Sequence, residues 1–96
     1  MKEPCVYILS NRPGGTLYVG VTSNLVQRVA QHRSGMVDGF TRRYNLHRLV
    51  WYEPHVEMFA AIEREKQLKS GPRRRKLALI ESMNPDWQDL YPELLP

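Results

Sequence analysis

Val6-Tyr7-Ile8-Leu9, then Asn11-Arg12-Pro13-Gly14-Gly15, then Leu17-Tyr18-Val19-Gly20-Val21, is the stretch whose reading decides the fold. Two short runs of β-branched and aromatic residues flank a cluster of turn formers, which predicts an antiparallel hairpin. Side chains alternate along a strand, so Tyr7 is expected to face away from Val6 and Ile8. Tyr18 and Gly20 should share one face of the second strand, with Leu17, Val19 and Val21 on the other. A turn centred near Arg12-Pro13 would set Tyr7 and Tyr18 across from each other. A tyrosine pair on a sheet is more often packing than chemistry, so it carries no function alone.

Working outward, Thr22, Ser23 and Asn24 can cap a helix over residues 25–33, closed by Gly35. Residues 36–47 are polar and read as a loop. Leu49-Val50-Trp51-Tyr52 predicts a third strand, ended by Pro54. Residues 56–69 predict a second helix, with Gly71 past its end. Pro72 suits the first turn of a third helix running to about Met83, which Asn84-Pro85 stops. The tail from Asp86 to Pro96 has room for one helical turn under Trp87 and Tyr91. The order ββαβαα predicts an α+β fold, a small antiparallel three-stranded sheet flanked by helices. No repeat or linker interrupts it, and 96 residues fit one domain over 1–96, with a core of about 4–83 and a tail of 84–96.

Cys5 is the one cysteine, which excludes an intramolecular disulfide and a cysteine zinc cluster. The N-terminus does not have the pattern of a signal peptide, and no stretch approaches the roughly 20 apolar residues of a membrane span. The expectation is a soluble cytoplasmic protein with no membrane partner. Net charge is only +4, but residues 28–76 hold twelve Lys and Arg against five Asp and Glu, and residues 77–96 hold four acids and no Lys or Arg. A basic middle with an acidic tail suits one face for a polyanion, although a solvated basic surface gives the same count.

The informative residues are polar groups where periodicity asks for apolar ones. Leu25, Arg28, Val29 and His32 form one helical stripe, so Arg28 and His32 are neighbours one turn apart. Met58, Ala61, Ile62, Glu65 and Leu68 form another, with Glu65 as its exception. A carboxylate aimed at a core is costly unless it is paired with a base or binds a cation. Arg73-Arg74-Arg75-Lys76 opens a helix against its dipole, a local cost that makes functional use more plausible. With Arg42, Arg43 and Lys69 it could contact backbone phosphates, or it could be a solvated face.

These residues together resemble the GIY-YIG nuclease superfamily. Val6-Tyr7-Ile8 and Tyr18-Val19-Gly20 match its two motifs, Arg28 and His32 match its helix positions, and the stretch 60–69 looks like the segment carrying its glutamate, here Glu65. The likeness spans roughly residues 4–80 and looks closest to small stand-alone bacterial members. Cys5 and Val6 stand where the first motif has its glycine. Some larger members have an asparagine about one helix after the glutamate; Asn84 is the nearest here, and that role is not carried over.

The resemblance implies a divalent-metal-dependent DNA endonuclease with catalytic residues Tyr7, Tyr18, Arg28, His32 and Glu65. It implies one Mg2+ or Mn2+ ion on Glu65, Arg28 clamping the scissile phosphate, and Tyr7 as general base with Tyr18 as its partner or a water-positioning group. His32 would tune or relay the proton, and Arg28, His32 and the metal should lower the Tyr7 pKa. Without an added DNA-binding domain, the expected substrate is chosen by structure rather than sequence, branched or single-stranded DNA among the candidates, in repair or recombination. Two other readings stay open. One is a nucleic-acid-binding module with little or no catalysis; the other is a protein-interaction domain using the acidic tail with Trp87 and Tyr91.

Overall fold

A computed structural model describes residues 3–37 and 39–96 of the chain. Residue 38 of the expected loop lies outside them. Strands β1 (Cys5–Ser10) and β2 (Leu17–Thr22) form the hairpin, and β3 (Arg48–Pro54) adds to the other side of β1. Helices α1 (Leu25–Arg33), α3 (Met58–Ser70) and α4 (Arg73–Met83) match the three expected helices within about two residues. Two four-residue helices join them: α2 (Phe40–Arg43), inside the expected loop, and α5 (Tyr91–Leu94), in the tail. The fold is α+β, with an antiparallel sheet in the order β2-β1-β3.

β1 is the middle strand, and all six of its residues are buried. Its alternation sorts the core into two layers. Val6 and Ile8 join Val19, Ala61, Leu68 and Ile80 on the side covered by α3 and α4. Cys5, Tyr7 and Leu9 join Leu25, Val29, Leu46 and Leu90 on the side covered by α1 and the tail. A bulge where Ile8 pairs with Trp51 but Leu9 with Leu49 leaves Val50 as the extra residue. Val50 and Trp51 therefore both enter the α3–α4 layer, while Leu49 enters the other.

The hairpin register corrects one expectation. Tyr7 pairs with Gly20, and Tyr18 with Leu9, so the tyrosines are diagonal neighbours on one face rather than a direct pair. Gly14 takes a left-handed φ of 67°, and the amide of Gly15 returns to the carbonyl of Arg12 at 3.0 Å, which moves the turn past Arg12-Pro13. Pro72 precedes α4 in extended conformation instead of occupying its first turn.

The tail is part of the packing. Trp87 is buried at a left-handed φ of 55°, and Tyr91 packs against the second layer with the Arg33 guanidinium 4.7 Å from its ring centre. The protein-interaction reading therefore loses its aromatic pair, because both rings serve this chain's own interior. Asp89 accepts from the amides of Leu49 and Tyr91 at 3.1 and 3.0 Å and pairs with Arg33. The amide of Leu90 donates to the carbonyl of Leu49 at 2.8 Å. Asn84 ends α4 with its side chain buried; Nδ2 donates to the carbonyls of Val50 and Gln88 at 3.2 and 2.8 Å, and Oδ1 accepts from the amide of Gln88 at 3.0 Å.

Removing Asn84 strands the Val50 carbonyl in the interior, and an unsatisfied buried group costs on the order of 1–3 kcal/mol. Asn84→Ala should lower the urea midpoint by an amount matching about 2 kcal/mol with an unchanged slope. An unchanged midpoint would show that the tail does not brace the bulge.

Candidate active site

The Tyr7 face of the hairpin, α1 and α3 bring the five expected site residues toward one edge of the sheet. Tyr7 projects from the middle of β1 over Gly20 of β2. A Cβ on residue 20 would stand 2.4 Å from Cζ and 2.5 Å from Oη of Tyr7, so the ring lies where a side chain would otherwise be. The glycine of the second motif is thus the seat of the tyrosine of the first.

α1 begins cleanly because Asn24 accepts the amide of Gln27 at 3.2 Å. It ends where Gly35 turns the chain at φ 77°. The stripe between them carries His32 inward to 1% exposure. There its Nε2 meets Tyr7 Oη at 2.9 Å, and its Nδ1 meets Thr41 Oγ1 at 3.1 Å. The rings of Tyr7, Tyr18 and His32 form a cluster with centres 5.5 to 6.3 Å apart.

Thr41 is absent from the expected set. It sits in a segment read as a loop, and α2 buries it to 2% exposure against His32. The available signal was the need of a buried imidazole for partners on both nitrogens.

Arg28, half-buried one turn before His32, bonds Gln31 Oε1 at 3.3 Å and makes no ion pair among the described residues. Glu65 reaches the same edge from α3, its side chain 16% exposed, and pairs with Lys69 one turn on at 3.2 Å. Lys69 Nζ also stands 5.9 Å from the Tyr18 ring centre. Among the described residues no group of three or more His, Cys, Asp or Glu side chains comes together. A hard cation held by a single carboxylate, water and phosphate oxygens needs no such group, so Glu65 fits that role.

The electrostatics differ from expectation. Burial dominates at Tyr7 and pushes the phenol up to about 12; Arg28 pulls the other way, and Tyr18 and Glu65 add to the rise. His32 contributes no positive charge, since burial and then the charges of Arg28 and His47 push it down to about 4. The resting pair is a neutral phenol on a neutral imidazole.

The basic run divides. Arg73 donates to the carbonyls of Gly14 and Gly15 at 3.0 and 2.6 Å, tying α4 to the hairpin turn. Lys76 Nζ donates to the carbonyls of Leu68 and Gly71 at 2.7 and 3.1 Å, satisfying the end of α3. These two thus have structural partners that explain their places without a ligand. Arg73, Arg74 and Arg75 are all exposed at the surface, as are Arg42 and Arg43 on α2.

The family model for the GIY-YIG catalytic domain matches residues 3–78. A UPF0213 protein of Natronomonas pharaonis is 39% identical over 75 residues, covering 78% of this chain and 87% of its own. Another, from Oceanobacillus iheyensis, is 34% identical over 80 residues, covering 83% and 92%. The solution structure of a UPF0213 protein from Bacillus halodurans superposes with a TM-score of 0.56 at 28% identity, over 91% of this chain and 92% of that one.

Buried neutral His32 makes stability depend on pH. Its folded value of about 4 lies below the ordinary 6.5, so the unfolded chain takes up the proton first. The contribution is complete above about 6.5 and is lost as pH falls toward about 4. Wild-type stability should fall by on the order of 2–3 kcal/mol across that window. His32→Gln, less stable at neutral pH, should remove most of that slope; equal slopes by urea melts in both proteins would refute the assignment.

Proposed function

The chain belongs to the GIY-YIG family of catalytic domains, and from that premise we propose that it is a divalent-metal-dependent DNA endonuclease that hydrolyses phosphodiester bonds. The observation that carries the proposal is the 2.9 Å hydrogen bond between Tyr7 Oη and His32 Nε2, inside a ring cluster with Arg28 and Glu65 at its edge. A core built only for packing has no need of a phenol, an imidazole and a hydroxyl in series.

In the proposed reaction Tyr7 Oη takes a proton from the attacking water while passing its own to His32 Nε2. The series arrangement spares a phenol raised to about 12 from forming a free phenolate. An anionic phosphate drawn to Arg28 would offset the charge that helps hold His32 near 4 and so favour the imidazole taking the proton. Thr41 holds His32 through Nδ1 and keeps Nε2 turned to Tyr7. Arg28 presents forked donors to the scissile phosphate. Tyr18 packs beside Tyr7 and positions the water. Glu65 would hold one Mg2+ or Mn2+, which would supply charge neutralisation at the phosphate and the leaving oxygen. The Lys69 side chain is 51% exposed, so its pair with Glu65 is weak and free to open toward a phosphate. Lys69, with Arg42, Arg43, Arg74 and Arg75, is proposed to meet backbone phosphates; Arg73 and Lys76 contribute to that field from structural positions. A cytoplasmic role in repair or recombination, exercised by the whole chain acting as one catalytic unit, belongs to the same proposal.

The second reading is a nucleic-acid-binding module without catalysis, and the Glu65–Lys69 pair favours it, since pairing alone accounts for the carboxylate. Nicking of plasmid DNA separates the two. Wild-type protein should nick with Mg2+ or Mn2+ and stop in chelator, while Glu65→Gln should bind DNA without nicking it. Activity in chelator, or full activity in Glu65→Gln, overturns the metal-ligand role; no activity with either ion leaves the binding module.

Single-turnover rates on saturated substrate test the proton path. Tyr7→Phe and Arg28→Ala should each lose on the order of 100-fold or more, and Tyr18→Phe less. Tyr7→Phe within a few-fold of wild type would remove Tyr7 from proton transfer.

A further inference from the structure

α2 buries one side and exposes the other. Thr41 points inward to His32, while Phe40 and Tyr44 remain 46% and 44% exposed. Their i,i+4 spacing sets the rings side by side, with centres 4.7 Å apart and planes tilted by 47°. The Arg43 guanidinium carbon stands 5.9 Å from the Tyr44 ring centre. The platform is held firmly for so short a segment. The amide of Tyr44 returns to Phe40 at 3.1 Å, and that of Leu46, itself fully buried, returns to Thr41 at 2.9 Å.

Two aromatic faces with arginines between them in sequence have a natural complement in a base and its flanking phosphates. Stacking on aromatic rings accepts any base, because every base has a π-face, and basic side chains beside the rings track the backbone. Bases inside a duplex are already stacked on one another and offer only their edges. Unpaired bases offer their faces. We propose that Phe40 and Tyr44 form a stacking platform for an unpaired nucleobase next to the cleavage site, so that the substrate class is DNA with unpaired bases at or beside the cut. The proposal rests on the nuclease reading for its placement beside the chemistry. The platform shares its helix with Thr41, the group bonded to His32, so the two elements are held by one short segment.

The test pairs a fluorescent base with cleavage. Oligonucleotides carrying 2-aminopurine in a bubble, in a single strand and in a full duplex are titrated with wild-type protein in chelator, then cut with Mg2+ or Mn2+. The bubble and single strand should bind more tightly than the duplex, with fluorescence quenched by stacking. Phe40→Leu/Tyr44→Leu keeps apolar bulk without π-faces. It should lose the quenching and on the order of ten- to hundredfold in affinity for unpaired DNA, collapsing the preference over duplex. Tyr44→Phe should retain it.

Quenching that disappears in the double variant, with no cleavage of any substrate, supports the platform while the nuclease reading fails. Cleavage that shows no preference for unpaired bases, or a double variant with wild-type preference, overturns the platform while the nuclease reading stands. The second result would assign the rings to a protein or lipid surface. Failure to bind any DNA overturns both.

Discussion

A phenol in the middle of a strand buried on both faces loses most of its hydration, so its hydroxyl needs a partner within the protein. Tyr7 finds His32 at 2.9 Å, and much of the molecule is arranged to permit that bond. Gly20 leaves room for the ring. α1 is capped and terminated so that its stripe delivers His32 rather than a neighbour. α2 supplies Thr41 to the far nitrogen. The same burial that demands the bond keeps both groups neutral, raising the phenol and lowering the imidazole. In its resting state the pair therefore carries no charge.

The hairpin was legible because its two strands and its turn are local. Alternation alone separates Val6 and Ile8 from Tyr7, and the core divides in that way. Register was not legible to one residue, because it depends on where Gly14 takes its left-handed conformation within Asn11–Gly15, and several residues there could do so. The stripes of α1 and α3 place Arg28, His32 and Glu65 through the 3.6-residue period. What the sequence could not show was contact between distant segments: Thr41 with His32, Lys76 with the end of α3, Arg73 with the hairpin turn. Nor could it show the sign of the net effect at Tyr7. Charges can be counted from a sequence, but desolvation needs the packed structure, and there it outweighs Arg28.

The uneven charge along the chain also has a physical division of labour. Part of the acidic tail is spent internally, as Asp89 ties Arg33 and the start of β3 together. Part of the basic run is likewise internal, holding carbonyls that a helix end and a turn leave open. A count of lysines and arginines therefore overstates the cations offered to a polyanion.

The tail's grip on β3 has a consequence for how copies of this chain meet one another. β3 is an edge strand, and an open edge is a template on which another chain can add a strand. Here the Leu49 amide is taken by Asp89, the Leu49 carbonyl by Leu90, and the Val50 carbonyl at the bulge by Asn84. Those three groups are no longer offered outward, and the bulge breaks the regular spacing that a second strand would need. The segment after α4 thus acts as a plug against edge-to-edge polymerisation, a safeguard built from hydrogen bonds.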